Sequence, residues 1–132
     1  MVDLTYFSLY IEDYEQAVAF YSAVFGPPTD TVPDNSLNGW KMGATHLTIF
    51  PSTIGTEPGA NPRNAEFAVQ VAQPEEVDAL YEALVAAGAT AGWEPRDTEM
   101  YVPMRFAYVD DPFGVRIDVI CVAPAGQESV AQ

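Results

Sequence analysis

Cysteine, histidine and basic residues are scarce in this chain. Its 132 residues include one cysteine, one histidine and five lysines and arginines, against 19 aspartates and glutamates. A lone cysteine forms no disulfide within the chain, and Cys121 falls in an apolar run where a buried thiol is expected. These features predict a cytoplasmic location.

The formal net charge of -14 argues against nucleic acids and anionic membranes as partners. It repels a phosphate backbone and an anionic membrane surface, and it attracts cations. No stretch approaches the roughly 20 apolar residues of a membrane helix, and the N-terminus lacks the features of a signal peptide. We therefore expect a small molecule as partner, with no nucleic acid and no membrane. Acidity that serves only solubility is the alternative.

Motifs of two large enzyme classes are also missing. No glycine-rich phosphate loop follows a predicted strand, no G-x-S-x-G turn presents a serine, and no neighbouring histidine accompanies Cys121. The sequence gives no support to nucleotide chemistry or to a serine or cysteine hydrolase. The composition, 48% apolar and 12% aromatic, is that of a globular protein.

An internal repeat organises the chain. A shift of sixty positions aligns Tyr6 to Ile11 with Glu66 to Val71, and the register continues without a gap through the following helix. Both six-residue segments alternate as half-buried strands do. Each is followed by a helical apolar stripe, typified by Phe20 with Tyr21 and by Leu80 with Tyr81.

Strand-like stretches after each helix complete a βαβββ unit, present twice. The predicted fold class is α+β, one domain over residues 1–123, with modules at 4–50 and 64–122. A linker rich in glycine and proline, 51–63, joins the modules. Residues 124–132 are predicted to be a flexible tail.

Three motifs carry a resemblance over residues 4–122. They are Tyr6 to Asp13, the Phe20-Tyr21 pair near the end of the first helix, and the D-P-F-G-V-R-I-D segment from Asp111 to Asp118. The chain resembles the glyoxalase, bleomycin-resistance and extradiol-dioxygenase superfamily, also called vicinal oxygen chelate. The resemblance implies an open trough of curved mixed sheets with helices on its outer face, and a homodimer.

The resemblance also implies four metal-ligand positions, which here hold Tyr6, Thr48, Glu66 and Asp118. The usual histidines are missing, and two carboxylates without an imidazole suit magnesium or calcium better than a transition metal. We expect no cofactor. A divalent ion held weakly by Glu66 and Asp118 is the alternative. His46 could replace Thr48 only after a two-residue slip of its strand.

Strand alternation predicts a ligand-binding face. If residues such as Leu9 and Ile49 face the helices, the alternate residues share the opposite face, where aromatic rings and sparse polar groups resemble a small-molecule pocket. A solvated sheet face is the other interpretation. The candidate ligand-binding residues are Tyr6, Ser8, Tyr10, Trp40, His46, Thr48, Phe50, Gln70, Tyr101 and Arg116. Trp93, Met104 and Phe106 could extend an aromatic wall.

Glu66 and Asp118 are the candidate catalytic residues. Two carboxyls converging in a partly apolar site raise each other's pKa and can divide into an acid and a base. They could equally pair with Arg105 or Arg116, or hold the ammonium of a ligand.

The expected function is binding or sequestration of an aromatic or cationic organic compound, as in the drug-sequestering resistance proteins of the family. The alternative is a glyoxalase-like lyase or isomerase, or a dioxygenase-type enzyme, that uses a divalent metal or the Glu66 and Asp118 carboxyls. An interaction module without a ligand is a third reading.

Overall fold

Two compact units, Met1–Arg63 and Asn64–Gln132, make up the chain. The computed structural model describes residues 3–32, 34, 36–55, 57, 59–99 and 102–123. Each unit combines one α-helix with a mixed sheet, which confirms the predicted α+β class. The first unit has the predicted βαβββ order, whereas the second has four strands after its helix instead of three. In the described residues, no helix has the length and apolar character needed to cross a membrane.

The first unit has the sheet order β1-β4-β3-β2, with β1 parallel to β4 and the other pairs antiparallel. A 3₁₀ turn, Ser52–Ile54, follows the last strand. Its elements are β1 (Tyr6–Ile11), α1 (Tyr14–Phe25), β2 (Asp30–Thr31), β3 (Asn38–Met42) and β4 (Thr45–Pro51).

The core of the first unit lies between α1 and one face of this sheet. Ala17, Phe20 and Tyr21 recur at helical spacing and are buried, because the helix turns this stripe toward the sheet. Trp40 on β3 adds the largest side chain to this core. It is 2% exposed, and its indole Nε1 donates to the Gly26 carbonyl at 2.8 Å.

The second unit has the sheet order β5-β9-β8-β6, and β7 also pairs with β8. The strands β5 and β9 are parallel, and the other pairs are antiparallel. Its elements are β5 (Ala65–Gln70), α2 (Pro74–Ala86), β6 (Thr90–Ala91), β7 (Arg96–Glu99), β8 (Pro103–Asp110) and β9 (Val115–Val122).

Helix α2 covers one face of the second sheet. Val77 and Leu84 are fully buried on it, against strands whose helix-facing residues include Val109, Ile117 and Val119. Arg105 of β8 reaches the same side and donates two hydrogen bonds to Asp78 of α2, at 2.7 and 2.9 Å. The helix is therefore attached to the sheet by apolar packing and by a bidentate ion pair.

The turn between β8 and β9 sets the register of the second sheet. The buried Asp111 carboxylate accepts hydrogen bonds from the backbone N–H groups of Phe113 and Val115, both at 2.8 Å. Gly114 has a φ of 99°, in the region that favours glycine. This turn places Asp110 opposite Arg116 and Tyr108 opposite Asp118.

The segment 51–63, predicted as a linker, is attached to the first unit. The Asn61 side chain accepts a hydrogen bond from the Glu12 N–H at 2.8 Å and donates one to Asp13 at 3.1 Å. The Ser52 hydroxyl accepts the Gly59 N–H at 3.1 Å. The predicted tail, 124–132, lies outside the described residues.

Candidate functional site

The face of the second sheet opposite α2 brings together most of the charged candidates. Alternation along three neighbouring strands arranges its side chains in rows across β5, β9 and β8. The rows are Glu66, Arg116 and Asp110; then Ala68, Asp118 and Tyr108; then Gln70, Ile120 and Phe106. Asp118 therefore lies at the centre of this face, diagonal to Glu66.

Asp118 is the least satisfied polar group of this face. Its Oδ1 is buried and accepts no hydrogen bond from any described residue. The pKa of Asp118 is raised to about 7, chiefly by burial and then by the neighbouring Glu66 carboxyl, through a hydrogen bond and charge repulsion. Two carboxyls can share a hydrogen bond only when one of them carries the proton. The pair therefore favours one proton or one bound cation.

Arg116 lies in the row next to that of Asp118 and forms an ion pair with Asp110 of its own row. Its Nε and Nη2 donate to the two carboxylate oxygens of Asp110, at 2.9 and 3.3 Å, and this pairing raises the Arg116 pKa. The guanidinium also stacks over the Tyr108 ring, 4.1 Å from its centroid. Tyr108 and Asp110 thus already hold a planar cation on this face.

A cleft of about 350 Å³ opens beside these charged rows, at the end of the sheet where β5 begins. Its volume is within the range of small-molecule sites, although polar atoms dominate its walls. The cleft is lined by Asn64, Ala65, Glu66, Asp110, Gly114 and Arg116.

An aromatic cluster adjoins Asp118 on the same face. The Trp93 ring lies 5.8 Å from Phe106 and 5.9 Å from Tyr108, and it is 40% exposed. Gly92 lets the chain before Trp93 pass close to the Tyr108 ring, because a Cβ at this position would lie 2.1 Å from Cε1 of Tyr108. Arg96 covers one side of the indole, 4.3 Å from its centroid.

The face of the first sheet opposite α1 pairs six predicted residues across the parallel β1 and β4 strands. The Ser8 and Thr48 hydroxyls share a hydrogen bond of 2.6 Å. The rings of Tyr10 and Phe50 stack with centroids 5.1 Å apart. Tyr6 lies beside His46 with ring centroids 5.2 Å apart, and this third pair completes the face.

Two of the predicted ligand-binding residues lie away from these contacts, and a third is not among the described residues. Trp40 lies opposite Leu47, on the helix-facing side of its sheet, so its indole belongs to the core and its predicted place in a ligand-binding wall is wrong. Gln70 shares the face of Glu66 but is exposed at the far end of β5. Tyr101 lies outside the described residues.

Two residues of the face were not among the sequence candidates. Tyr108 and Asp110 lie beside Asp118 and Arg116 because of the hairpin register. Both positions are reached from Arg116 by counting back along the sequence in steps of two residues, through the turn between Asp111 and Gly114. Arg105, suggested as a partner of Glu66 or Asp118, instead pairs with Asp78 and Asp97.

The four positions that correspond to the family's metal ligands do not fit a transition-metal ion. None of them is an imidazole, Thr48 is 3% exposed with its hydroxyl hydrogen-bonded to Ser8, and Tyr6 is 61% exposed. Within the described ranges, no three His, Cys, Asp or Glu side chains converge on a common point. The chain's own oxygens at Glu66 and Asp118 are a donor set for hard cations only.

A family model described as the Glyoxalase/Bleomycin resistance protein/Dioxygenase superfamily matches residues 3–119. A similar solved structure is a glyoxalase-related enzyme from Fulvimarina pelagi, with a TM-score of 0.76 and 23% identity over 100% of this chain and 98% of that one. No curated protein matches the sequence.

Two further structures have the same fold. A glyoxalase/bleomycin resistance protein from Albidiferax ferrireducens T118 gives a TM-score of 0.73 at 24% identity, over 89% of this chain and 98% of that one. A lactoylglutathione lyase from Agrobacterium tumefaciens gives 0.67 at 21% identity, over 92% and 94% of the two chains. At these identities the similarity is one of fold.

Proposed function

Because the chain belongs to the glyoxalase/bleomycin resistance protein/dioxygenase superfamily, we propose that it binds a small aromatic cation on the face of the second sheet opposite α2. The observation that carries this proposal is the buried Oδ1 of Asp118, which receives no hydrogen bond from the described residues. A buried carboxylate oxygen without a donor is costly, and the ammonium of a ligand would supply one.

The charges around Asp118 favour a cationic ligand. Arg116 is matched by Asp110, whereas Glu66 and Asp118 form no salt bridge with any described residue. Two neighbouring carboxyls repel each other when both are ionised, and a cation between them removes that repulsion. The formal charge of -14 attracts such a ligand from a distance.

The neighbouring rings suit an aromatic group on that ligand. Tyr108 lies in the same row as Asp118, and Trp93 extends the aromatic surface beyond it. Arg116 on the Tyr108 ring is an internal example of the same recognition, a planar cation stacked on an aromatic face. Binding of this kind needs no catalytic group, which suits sequestration of the compound.

Calorimetry with three benzene derivatives of similar size and different charge tests the proposal. Benzylamine is a cation, benzyl alcohol is neutral and benzoate is an anion. We expect saturable binding of benzylamine, at least about tenfold tighter than that of benzyl alcohol, and no binding of benzoate. Chromatography after incubation should recover benzylamine unchanged.

Substitutions on this face identify the site. Asp118→Asn and Glu66→Gln should each weaken benzylamine binding, whereas Glu82→Gln, an exposed neutralisation on α2, should leave it unchanged. Equal affinity for the amine and the alcohol, an equal effect of all three substitutions, or no saturable binding of benzylamine would contradict the proposal.

A glyoxalase-like lyase or isomerase is the second candidate. The observation that favours it is the pairing of an exposed carboxyl, Glu66, with a carboxyl that holds a proton near neutral pH, Asp118. Glu66 would take a proton from a carbon beside a carbonyl, and Asp118 would return one. Turnover of such a compound, abolished in a folded Glu66→Gln variant, would favour this candidate over sequestration.

Three further expectations accompany the proposal. We propose a homodimer and a cytoplasmic location, which is consistent with the buried thiol of Cys121. We also propose that no nucleic acid is a partner, since the chain has 19 acidic residues and only five basic ones. Light scattering and a salt-dependent DNA-binding assay test the first and third.

A further inference from the structure

His46, the chain's single histidine, is held in one tautomer by Asp30. Its ring Nδ1 lies 2.9 Å from Oδ2 of Asp30. A carboxylate can only accept, so in the neutral imidazole Nδ1 carries the proton and Nε2 is the acceptor. The described residues give the imidazole ring no second hydrogen bond, and its side chain is 22% exposed.

Gly39 allows Asp30 to reach the histidine from a strand that is not its neighbour. In the sheet order, β3 lies between the Asp30 strand and the His46 strand. Gly39 on β3 pairs with both Asp30 and Thr48, and a Cβ there would lie 3.7 Å from Cβ of Asp30 and 3.0 Å from Cγ2 of Thr48. Without a side chain at that position, the Asp30 carboxyl crosses β3 toward the imidazole.

Tyr6 provides an exposed aromatic ring next to this acceptor. It pairs with His46 in the parallel register, and the two ring planes are tilted by 35°. An aromatic side chain 61% exposed on a sheet face is a surface that a planar ring can cover. The acceptor and the ring are therefore adjacent on the face of the first sheet opposite α1.

We propose that Tyr6 and His46 form a binding subsite for a planar heteroaromatic ring with an N–H group. The ring lies against Tyr6, its N–H donates to Nε2 of His46, and Asp30 is the positioning residue that orients the imidazole and selects the Nδ1–H tautomer of its neutral form. An N–H donor suits the site better than an acidic hydroxyl, because a hydroxyl that loses its proton becomes an anion in a strongly acidic protein.

Nitrogen-15 NMR of the labelled protein tests the tautomer directly. The chain has one histidine, so its ring signals need no assignment. We expect the Nδ1–H form in the wild type and a mixture of tautomers in Asp30→Ala. Asp34→Ala, which removes an exposed carboxylate elsewhere in the same unit, should keep the wild-type pattern.

Indole and 1-methylindole, which differ in the N–H group, test the subsite. We expect indole to shift the His46 ring signals saturably and to bind at least about tenfold tighter than 1-methylindole. In Asp30→Ala this preference should fall to about twofold or less. Glu66→Gln should not change it, so failure of the cation proposal and failure of this one are distinguishable.

An Nε2–H tautomer in the wild type, equal binding of the two probes, or no saturable shift with indole would overturn the proposal. If Asp30→Ala does not fold, the wild-type tautomer and the ratio between the two probes still decide the outcome.

Discussion

Asp118 and Glu66 lie diagonally across the parallel pair of β5 and β9, and the Glu66 carboxyl helps to raise the pKa of Asp118 to about 7. Burial is the larger cause. An ordinary aspartate is ionised at neutral pH, so this one retains a proton over a range where other carboxylates have lost theirs. The stability of the second unit should therefore depend on pH in an unusual direction.

Asp118→Asn should stabilise the protein at pH 8. The pKa of this carboxyl is raised on folding from 3.8, so folding becomes less favourable as the pH rises between about 4 and about 7. The side chain is half-buried and solvent screens part of the repulsion. We therefore expect a gain of about 1–2 kcal/mol at pH 8, decreasing to almost nothing at pH 4. Urea unfolding at both pH values measures it.

The Glu82→Gln variant is the control for that experiment, because it removes a carboxylate from an exposed helix position. A gain that is equal at pH 4 and pH 8, or a loss of stability at pH 8, would refute the assignment of the proton to Asp118.

Glu66→Gln and Arg116→Gln should move the pKa of Asp118 in opposite directions. The Glu66 carboxyl raises this pKa and the Arg116 guanidinium lowers it. Removal of the glutamate charge should therefore bring the pKa down toward its usual range, and removal of the arginine charge should raise it further. Carbon-13 NMR titration of the side-chain carboxyl measures both, and shifts in the same direction would be inconsistent with this arrangement.

Asp78→Asn should show the opposite pH dependence to Asp118→Asn. The hydrogen bonds from Arg105 lower the pKa of Asp78 below 3.8, so its ionised form stabilises the folded state above that pH. The pair is partly exposed, and we expect a cost of about 0.5–1 kcal/mol at pH 7. The cost should disappear as the pH falls below 3.8, whereas Glu82→Gln on the same helix should cost little at either pH.

Gly92→Ala should destabilise the second unit. The added Cβ would overlap the Tyr108 ring at 2.1 Å and its carbonyl oxygen at 2.8 Å. We expect a loss of about 1–3 kcal/mol and a weaker contact of Trp93 with Tyr108. Urea unfolding followed by Trp93 fluorescence in a Trp40→Phe background measures both effects, and a neutral substitution would show that this approach is not close.

Calorimetric titration of chelator-treated protein should show no tight uptake of nickel, zinc or ferrous iron. The four relevant positions offer no imidazole, and two of them are neutral hydroxyls. Magnesium should bind weakly if at all, with its heat lost in Glu66→Ala. Micromolar or tighter binding of a transition metal, lost in that variant, would revive metal chemistry for this chain.

The sequence predicted the elements that carry a hydrophobic period. Both helices and the strands β1 and β5 lie where alternation and helical spacing predicted them, and the match of the family model to residues 3–119 confirms the resemblance. The short strands β2 and β6 are two residues long and show no period. Strand β7, with the sequence R-D-T-E, is charged and shows no apolar alternation.

The sequence predicted the face on which a candidate residue lies where apolar neighbours set the alternation of its strand, and did not where the face depends on a turn. Residues on β1 and β4 lie on the predicted face because their apolar partners fixed the phase. Trp40 was misplaced, because the turn at Gly43 pairs it with the helix-facing Leu47. The pKa of Asp118 depends on burial, which a list of residues does not contain.

The turn between β8 and β9 also decides how this protein tolerates insertions. Because side chains alternate along a strand, one extra residue between Asp111 and Gly114 that shifted the pairing by one would carry Asp118 to the α2 side and bring Ile117 to the other. An insertion that shifted the pairing by two would keep both on their present sides. A shift of the β8–β9 pairing by an odd number of residues therefore exchanges core side chains for surface side chains, and a shift by an even number does not.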